Sequence, residues 1–188
     1  MPRPGYEFTP PILERLIELP NVEALKWSSW DMRSYVTCAR LFASEINFIN
    51  NQPPFVLSLP IKLGFTGFLH ADGNCAPRLS LHIWDLWKNK KYSEYDELIL
   101  KMYVDPRLRT HMPEELQWRG MGEGPLARLG IEAMGCKMGP PSPAQQPLSQ
   151  AFVDNFMRGY RKSGVAEWVD WKDEIAEEID EPATVAHR

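Results

Sequence analysis

The chain has 188 residues, 44% apolar, 24% charged and 11% aromatic, which supports a buried core and excludes overall disorder. Its 21 Lys and Arg against 25 Asp and Glu leave a net charge of −4, so the basic field that draws nucleic acid or an anionic membrane is missing. No apolar run reaches the roughly 18 residues of a membrane helix, and Met1-Pro2-Arg3-Pro4-Gly5 lacks the apolar stretch of a signal peptide; the expectation is a soluble, cytoplasmic protein.

In chain order, Thr9-Pro10-Pro11 before Ile12, Leu13, Leu16 and Ile17 predicts a short amphipathic helix that ends before Pro20. Val22 to Trp27 predicts a strand, because turn residues bound it and it is too short for a helix. Asp31 or Ser29 then caps a helix carrying Met32, Tyr35, Val36, Ala39 and Phe42 at helical spacing. Ile46 to Asn50 predicts a second strand. Phe55 to Leu63 predicts a helix interrupted late by Pro60, and Gly67 to Ala71 a third strand. Pro77 opens a helix with Leu79, Leu81, Ile83, Trp84 and Leu86.

Strand and helix alternate with short connections through this half, a pattern that calls for parallel strands and helical crossovers. Helices then follow at Ser93 to Val104, Pro125 to Met134 and Ser149 to Lys162, with a last amphipathic one over Val165 to Ile179. The stretch from Pro140 to Pro147, with four prolines, predicts an extended linker. The fold class is therefore α/β with about three parallel strands. Residues 1–91 form a partial β/α barrel, and residues 92–188 form a helical region packing on it. Three parallel strands cannot close a barrel, and a complete (β/α)8 barrel needs on the order of 250 residues.

Lys26 is the most informative residue for chemistry. It sits among Val22, Ala24, Leu25 and Trp27 near the carboxyl end of the first strand, where barrel enzymes carry their reacting groups. A lysine amine has an ordinary pKa near 10.4, and desolvation releases the neutral nucleophile that forms a Schiff base with a carbonyl compound. The plain alternative is that Lys26 snorkels past the strand end to water. Ser28-Ser29-Trp30-Asp31 supplies hydroxyls and a carboxylate that either cap the next helix or reach a ligand.

Other features point to packing or solvent. His70 lies on the third strand, while His82, His111 and His187 share no metal-ligand spacing, and no metal is expected. Cys38, Cys75 and Cys136 are three, far apart and in no CxxC pair, so they read as reduced packing residues. The Gly120–Gly124 run lacks a preceding strand and contains Glu123, so it reads as a helix entry rather than a phosphate loop. Trp84, Trp87, Trp168 and Trp171 pack cores or subunit contacts, and the acidic run from Asp173 to Glu181 is a solvated helix end.

Pro20-Asn21-Val22-Glu23-Ala24-Leu25-Lys26-Trp27-Ser28-Ser29-Trp30-Asp31 resembles the Schiff-base strand of the dihydrodipicolinate synthase and N-acetylneuraminate lyase family, written Pro-Asn-Val-x-Gly-x-Lys-Asp-Ser-Ser-Gly-Asp. In the same order, Gly64-Phe65-Thr66-Gly67-Phe68-Leu69 and Asn74-Cys75-Ala76-Pro77 resemble its last barrel strand and the helix start after it. Leu126 to Gly135 resembles a late helix, and Gly139-Pro140-Pro141 with Pro147-Leu148-Ser149 its proline-rich segment. The resemblance runs over about residues 2 to 162.

The resemblance implies the C-terminal part of a TIM (β/α)8 barrel followed by C-terminal helices, commonly in a tetramer. It implies a class I lyase or aldolase acting on a 2-oxo acid such as pyruvate, with no metal or organic cofactor. Lys26 is then the imine lysine, and Gly67 lets a backbone approach the substrate carboxylate. Ser28, Asn50 and His70 are the further substrate-binding candidates. The sequence also departs from the pattern. Trp27 and Trp30 replace Asp and Gly, which implies a reshaped pocket and a substrate other than that of the lysine-biosynthesis enzymes. Asn50-Asn51-Gln52 stands at a Gly-Asp-type turn. Met1-Pro2 aligns with the end of a Tyr-Asn-x-Pro motif, so the proton-shuttling tyrosine and the earlier threonine pair have no counterpart in these residues, and the chain alone is not expected to be a competent enzyme. The rival expectation is a truncated, non-catalytic half-barrel that serves as an interaction or assembly module.

Overall fold

The computed structural model describes residues 7–29, 31–52, 54–103, 124–143 and 148–169. Thr9 precedes Pro10 and Pro11, whose missing N–H groups are no loss in a first turn, and helix α1 (Pro10–Ile17) buries Leu13. Strand β1 (Ala24–Trp27) follows. The Asp31 carboxylate accepts the Arg33 N–H at 3.0 Å and so caps α2 (Met32–Phe42), whose Tyr35, Cys38, Ala39 and Phe42 are buried. Strand β2 (Asn47–Asn50) lies parallel between β1 and β3 (Gly67–Phe68). Opposite residues are Leu25 and Phe48, Lys26 and Ile49, Trp27 and Asn50, then Ile49 and Gly67, Asn50 and Phe68. The described residues thus form a mixed α/β fold with a small three-stranded parallel sheet.

Side chains alternate across a strand, and an aromatic core collects on one face of this sheet. Trp27 lies 4.9 Å from Tyr35 and 5.3 Å from Phe48 between ring centroids, and Phe65 lies 5.1 Å from Tyr35 and 5.2 Å from Phe48. Such pairs contribute about 0.5–1.5 kcal/mol each beyond the area they bury. Phe68 continues the same layer onto Trp87 of α4 (Pro77–Lys88) at 5.2 Å, and the Trp87 indole N–H donates to the Phe65 carbonyl at 3.2 Å. This satisfies a polar atom that burial would otherwise penalise.

The single helix expected over Phe55 to Leu63 is instead a 3-10 turn (Pro54–Val56), a break at Leu57 with φ +53°, and the short α3 (Leu59–Lys62). Proline lacks a hydrogen-bond donor, so Pro60 fits the first turn of a new helix and not the interior of a longer one. Ser58, at the break, donates its N–H and its Oγ to the two oxygens of Asp96 at 2.6 and 2.9 Å. The third strand is also shorter than expected, ending at Phe68 rather than Ala71, although the Leu69 N–H still donates to the Asn50 carbonyl at 2.9 Å.

Two compact units emerge, Met1–His70 with Ile83–Val104 and Ala71–His82 with Asp105–Arg188. Helix α5 (Tyr92–Tyr103) belongs to the unit of the strands, where Asp96 holds Ser58 and Tyr95 meets Trp87 edge-on at 6.0 Å. The second unit contains a 3-10 turn (Ala71–Asn74), α6 (Gly124–Ala133) and α7 (Gln150–Arg161). A Cβ on Gly130 would stand 3.1 Å from the Tyr160 ring, so glycine lets α6 and α7 approach closely. Of the helix expected over Val165 to Ile179, the described part is a 3-10 turn (Gly164–Trp168) followed by extended Val169. The rest of that segment, the acidic run from Asp173, Trp30 and the glycine run up to Glu123 lie outside the described residues. Among the described residues no helix is long and apolar enough to cross a membrane.

Candidate functional site: the second face of the sheet

The alternation that sends Trp27 and Phe48 into the aromatic core sends Lys26 and Ile49 to the opposite face. There Lys26, Ile49 and Gly67 occupy neighbouring register positions on the three strands, forming one row across the sheet. A Cβ at Gly67 would meet Ile49 Cδ1 at 3.4 Å, an ordinary contact distance, so the glycine leaves a small space beside that methyl group. Leu69, two residues farther on, is 52% exposed.

Lys26 is exposed, and β1 reads exposed, intermediate, exposed, buried along its length. The strand is therefore not buried around Lys26, and the lysine reaches water as the plain alternative for it has it. Among the described residues, helix α2 packs against the side of β1 that carries Trp27, and Lys26 lies on the other side. Ser28 is also exposed.

Asn50 is buried and turned toward the aromatic side. Its Oδ1 accepts from the Tyr35 hydroxyl and from the Gln52 N–H, each at 3.1 Å. Burial pushes the Tyr35 phenol well above its ordinary value, keeping it a proton donor to that amide oxygen. His70 pairs through Nε2 with the Tyr103 hydroxyl at 2.5 Å and packs edge-on to Phe68 at 6.2 Å. Lys26, Ile49 and Gly67 are thus brought into one row, whereas Asn50 and His70 contact the aromatic layer and α5.

Trp27 does not narrow a pocket beside Lys26. It is 2% exposed and belongs to the core, because adjacent residues of a strand point to opposite faces. Ser29, which the sequence offers as a cap for the next helix, and Gln52, to which it gives no separate role, hold the turns after β1 and β2. Buried Ser29 donates to Glu7 Oε2 at 2.8 Å and accepts the Asp31 N–H at 3.1 Å, and the Gln52 amide donates to the Ser29 carbonyl at 2.8 Å. Their only signal was polarity next to a strand end.

A separate cavity of about 230 Å3 lies within the second unit, lined by Ala71, Cys75, Leu126, Ile131, Phe156 and Tyr160 among others. The Tyr160 hydroxyl donates to the Asp72 carboxylate. Burial raises both the Tyr160 phenol and the Cys75 thiol, so the cavity has an apolar wall and a neutral thiol, without an activated nucleophile. Among the described residues no group of three His, Cys, Asp or Glu is arranged to hold a metal ion.

No family model matches the chain. Among curated proteins it is similar to a 4-hydroxy-tetrahydrodipicolinate synthase of Corynebacterium diphtheriae, with 24% identity over 165 residues that cover 87% of this chain and 50% of that protein. The chain spans about half the length of this relative. The likeness suggests a distant relation to a lyase of that kind.

Proposed function

We propose that the chain is the C-terminal part of a (β/α)8 barrel lyase that binds a 2-oxo acid as an imine on Lys26. The amine attacks the 2-oxo carbon, the carbonyl oxygen leaves as water, and the protonated imine then accepts the electron pair of a neighbouring C–H or C–C bond. The observation that carries this proposal is the row of Lys26, Ile49 and Gly67 on the face turned away from the aromatic core, which in a closed barrel is the inner face. The half-length likeness to a 4-hydroxy-tetrahydrodipicolinate synthase supports it.

Exposure of Lys26 sets a condition on this chemistry. The amine becomes a competent nucleophile when further barrel strands, from the same polypeptide or from a partner, cover that face and exclude water. The test is borohydride reduction of the protein, isolated at its native length, in the presence of pyruvate, followed by peptide mapping. A reduced pyruvyl adduct on Lys26 is expected. Labelling spread over other lysines, with Lys26 unmodified, overturns the proposal.

A further inference from the structure

The middle position of the row belongs to Ile49, in register with Lys26 on one side and Gly67 on the other. Adjacent strands lie about 4.8 Å apart, so the lysine and glycine backbones are roughly 10 Å apart with this one side chain between them. The Ile49 side chain reaches toward β3, because its Cδ1 lies 3.4 Å from the place a Cβ on Gly67 would take. The space that glycine leaves open is therefore lined by a methyl group. Ala24, Asn47 and half-buried Ile49 share the face with Lys26 by strand alternation, and Leu69 lies exposed just beyond Gly67. None of these strand residues carries a charge.

We infer that Ile49 is the specificity-determining residue of the imine site and that it selects 2-oxo acids whose chain beyond C2 is apolar over those bearing a second carboxylate. This inference rests on the imine function proposed above. The substrate's carbon chain, held on Lys26, lies against the branched aliphatic side chain of the neighbouring strand. A second carboxylate there loses water and finds no cation among the strand residues of that face, because the only one, Lys26, is consumed in the imine. An apolar extension instead buries surface against Ile49 and Leu69, and one or two methylenes in such a contact discriminate about 10- to 200-fold. Covalent capture balances without an oxidant: the amine and the 2-oxo carbon give an imine and water, and borohydride then supplies the hydride that fixes the adduct as a secondary amine.

The experiment is a competition at equal concentrations of 2-oxobutanoate and 2-oxoglutarate with borohydride, read as the ratio of the two adducts on the Lys26 peptide. The ratio is normalised to that on free Nα-acetyllysine. The unmutated protein should favour 2-oxobutanoate about tenfold or more, Ile49→Val should keep the preference, and Ile49→Ser should reduce it to about threefold or less. Because the first ratio needs no variant, a poorly folding Ile49→Ser protein leaves the test intact. Equal capture of both acids on Lys26, or a ratio unmoved by Ile49→Ser in folded protein, overturns the inference alone. Absence of an adduct on Lys26 with either acid or with pyruvate overturns the imine function and this inference with it.

Discussion

The two faces of the sheet are made from the same ten strand positions, yet they have opposite properties. On the covered face Trp27, Phe48 and Phe65 interlock with Tyr35, and every buried polar atom of Asn50 and Trp87 named above has a partner. On the other face Lys26 is exposed and its neighbours are Ile49 and a glycine. Stability resides on the first face and the proposed chemistry on the second, a separation that period-2 alternation makes possible within strands of two to four residues.

This contrast breaks most severely if the covered face proves dispensable. Phe48 is fully buried, and Phe48→Ala leaves a cavity that should destabilise the protein by about 3–5 kcal/mol, read as a fall in the urea midpoint at constant slope. A midpoint unchanged by that substitution contradicts the assignment of the core. Next in size, Asp96→Ala strips Ser58 of the partners of both its N–H and its hydroxyl and should cost about 1–3 kcal/mol. Amide exchange over Leu57 to Leu63 should accelerate with it.

In alkali the covered face should fail gradually. Burial raises Tyr95 from 10.0 to about 12, so the folded state keeps the phenol proton to a higher pH than the unfolded chain does. Stability is then intact below pH 10.0 and declines as pH rises from there to about 12. Tyr95→Phe should flatten the part of that decline which belongs to this group, as measured by thermal melts across the range. The smallest effect is expected on the other face, where Lys26→Ala should change stability by no more than about 0.5 kcal/mol while removing the amine altogether. A large loss of stability would make Lys26 a structural residue and erase the difference between the faces.

Much of the strand and helix order was legible because Pro, Asp and Gly mark boundaries that backbone chemistry enforces, as at Pro10, Asp31 and Pro77. The break at Leu57 was not, since its left-handed backbone is stabilised by Asp96, nearly 40 residues away in the chain. The approximate separation also explains Asn50. Its type and strand-end position suited a ligand, but its Oδ1 accepts from the Gln52 N–H, a local turn contact, and from the Tyr35 hydroxyl of α2, which only the packed fold brings to it. Lys26 was legible as a candidate and its exposure as the plain alternative of a lysine that snorkels to water; the choice between them depends on which side the helices cover. The placement of Trp27 followed from the same fact: adjacent to the lysine in sequence, it lies on the other side of the sheet.

The most direct measurement is a crystal structure of the native-length protein reduced with borohydride in the presence of a 2-oxo acid. The predicted result is continuous density from Lys26 Nζ to the former carbonyl carbon, with the ligand's chain lying along Ile49 toward Gly67. Density for the adduct on another lysine, or a ligand bound without a bond to Lys26, would contradict the central claim.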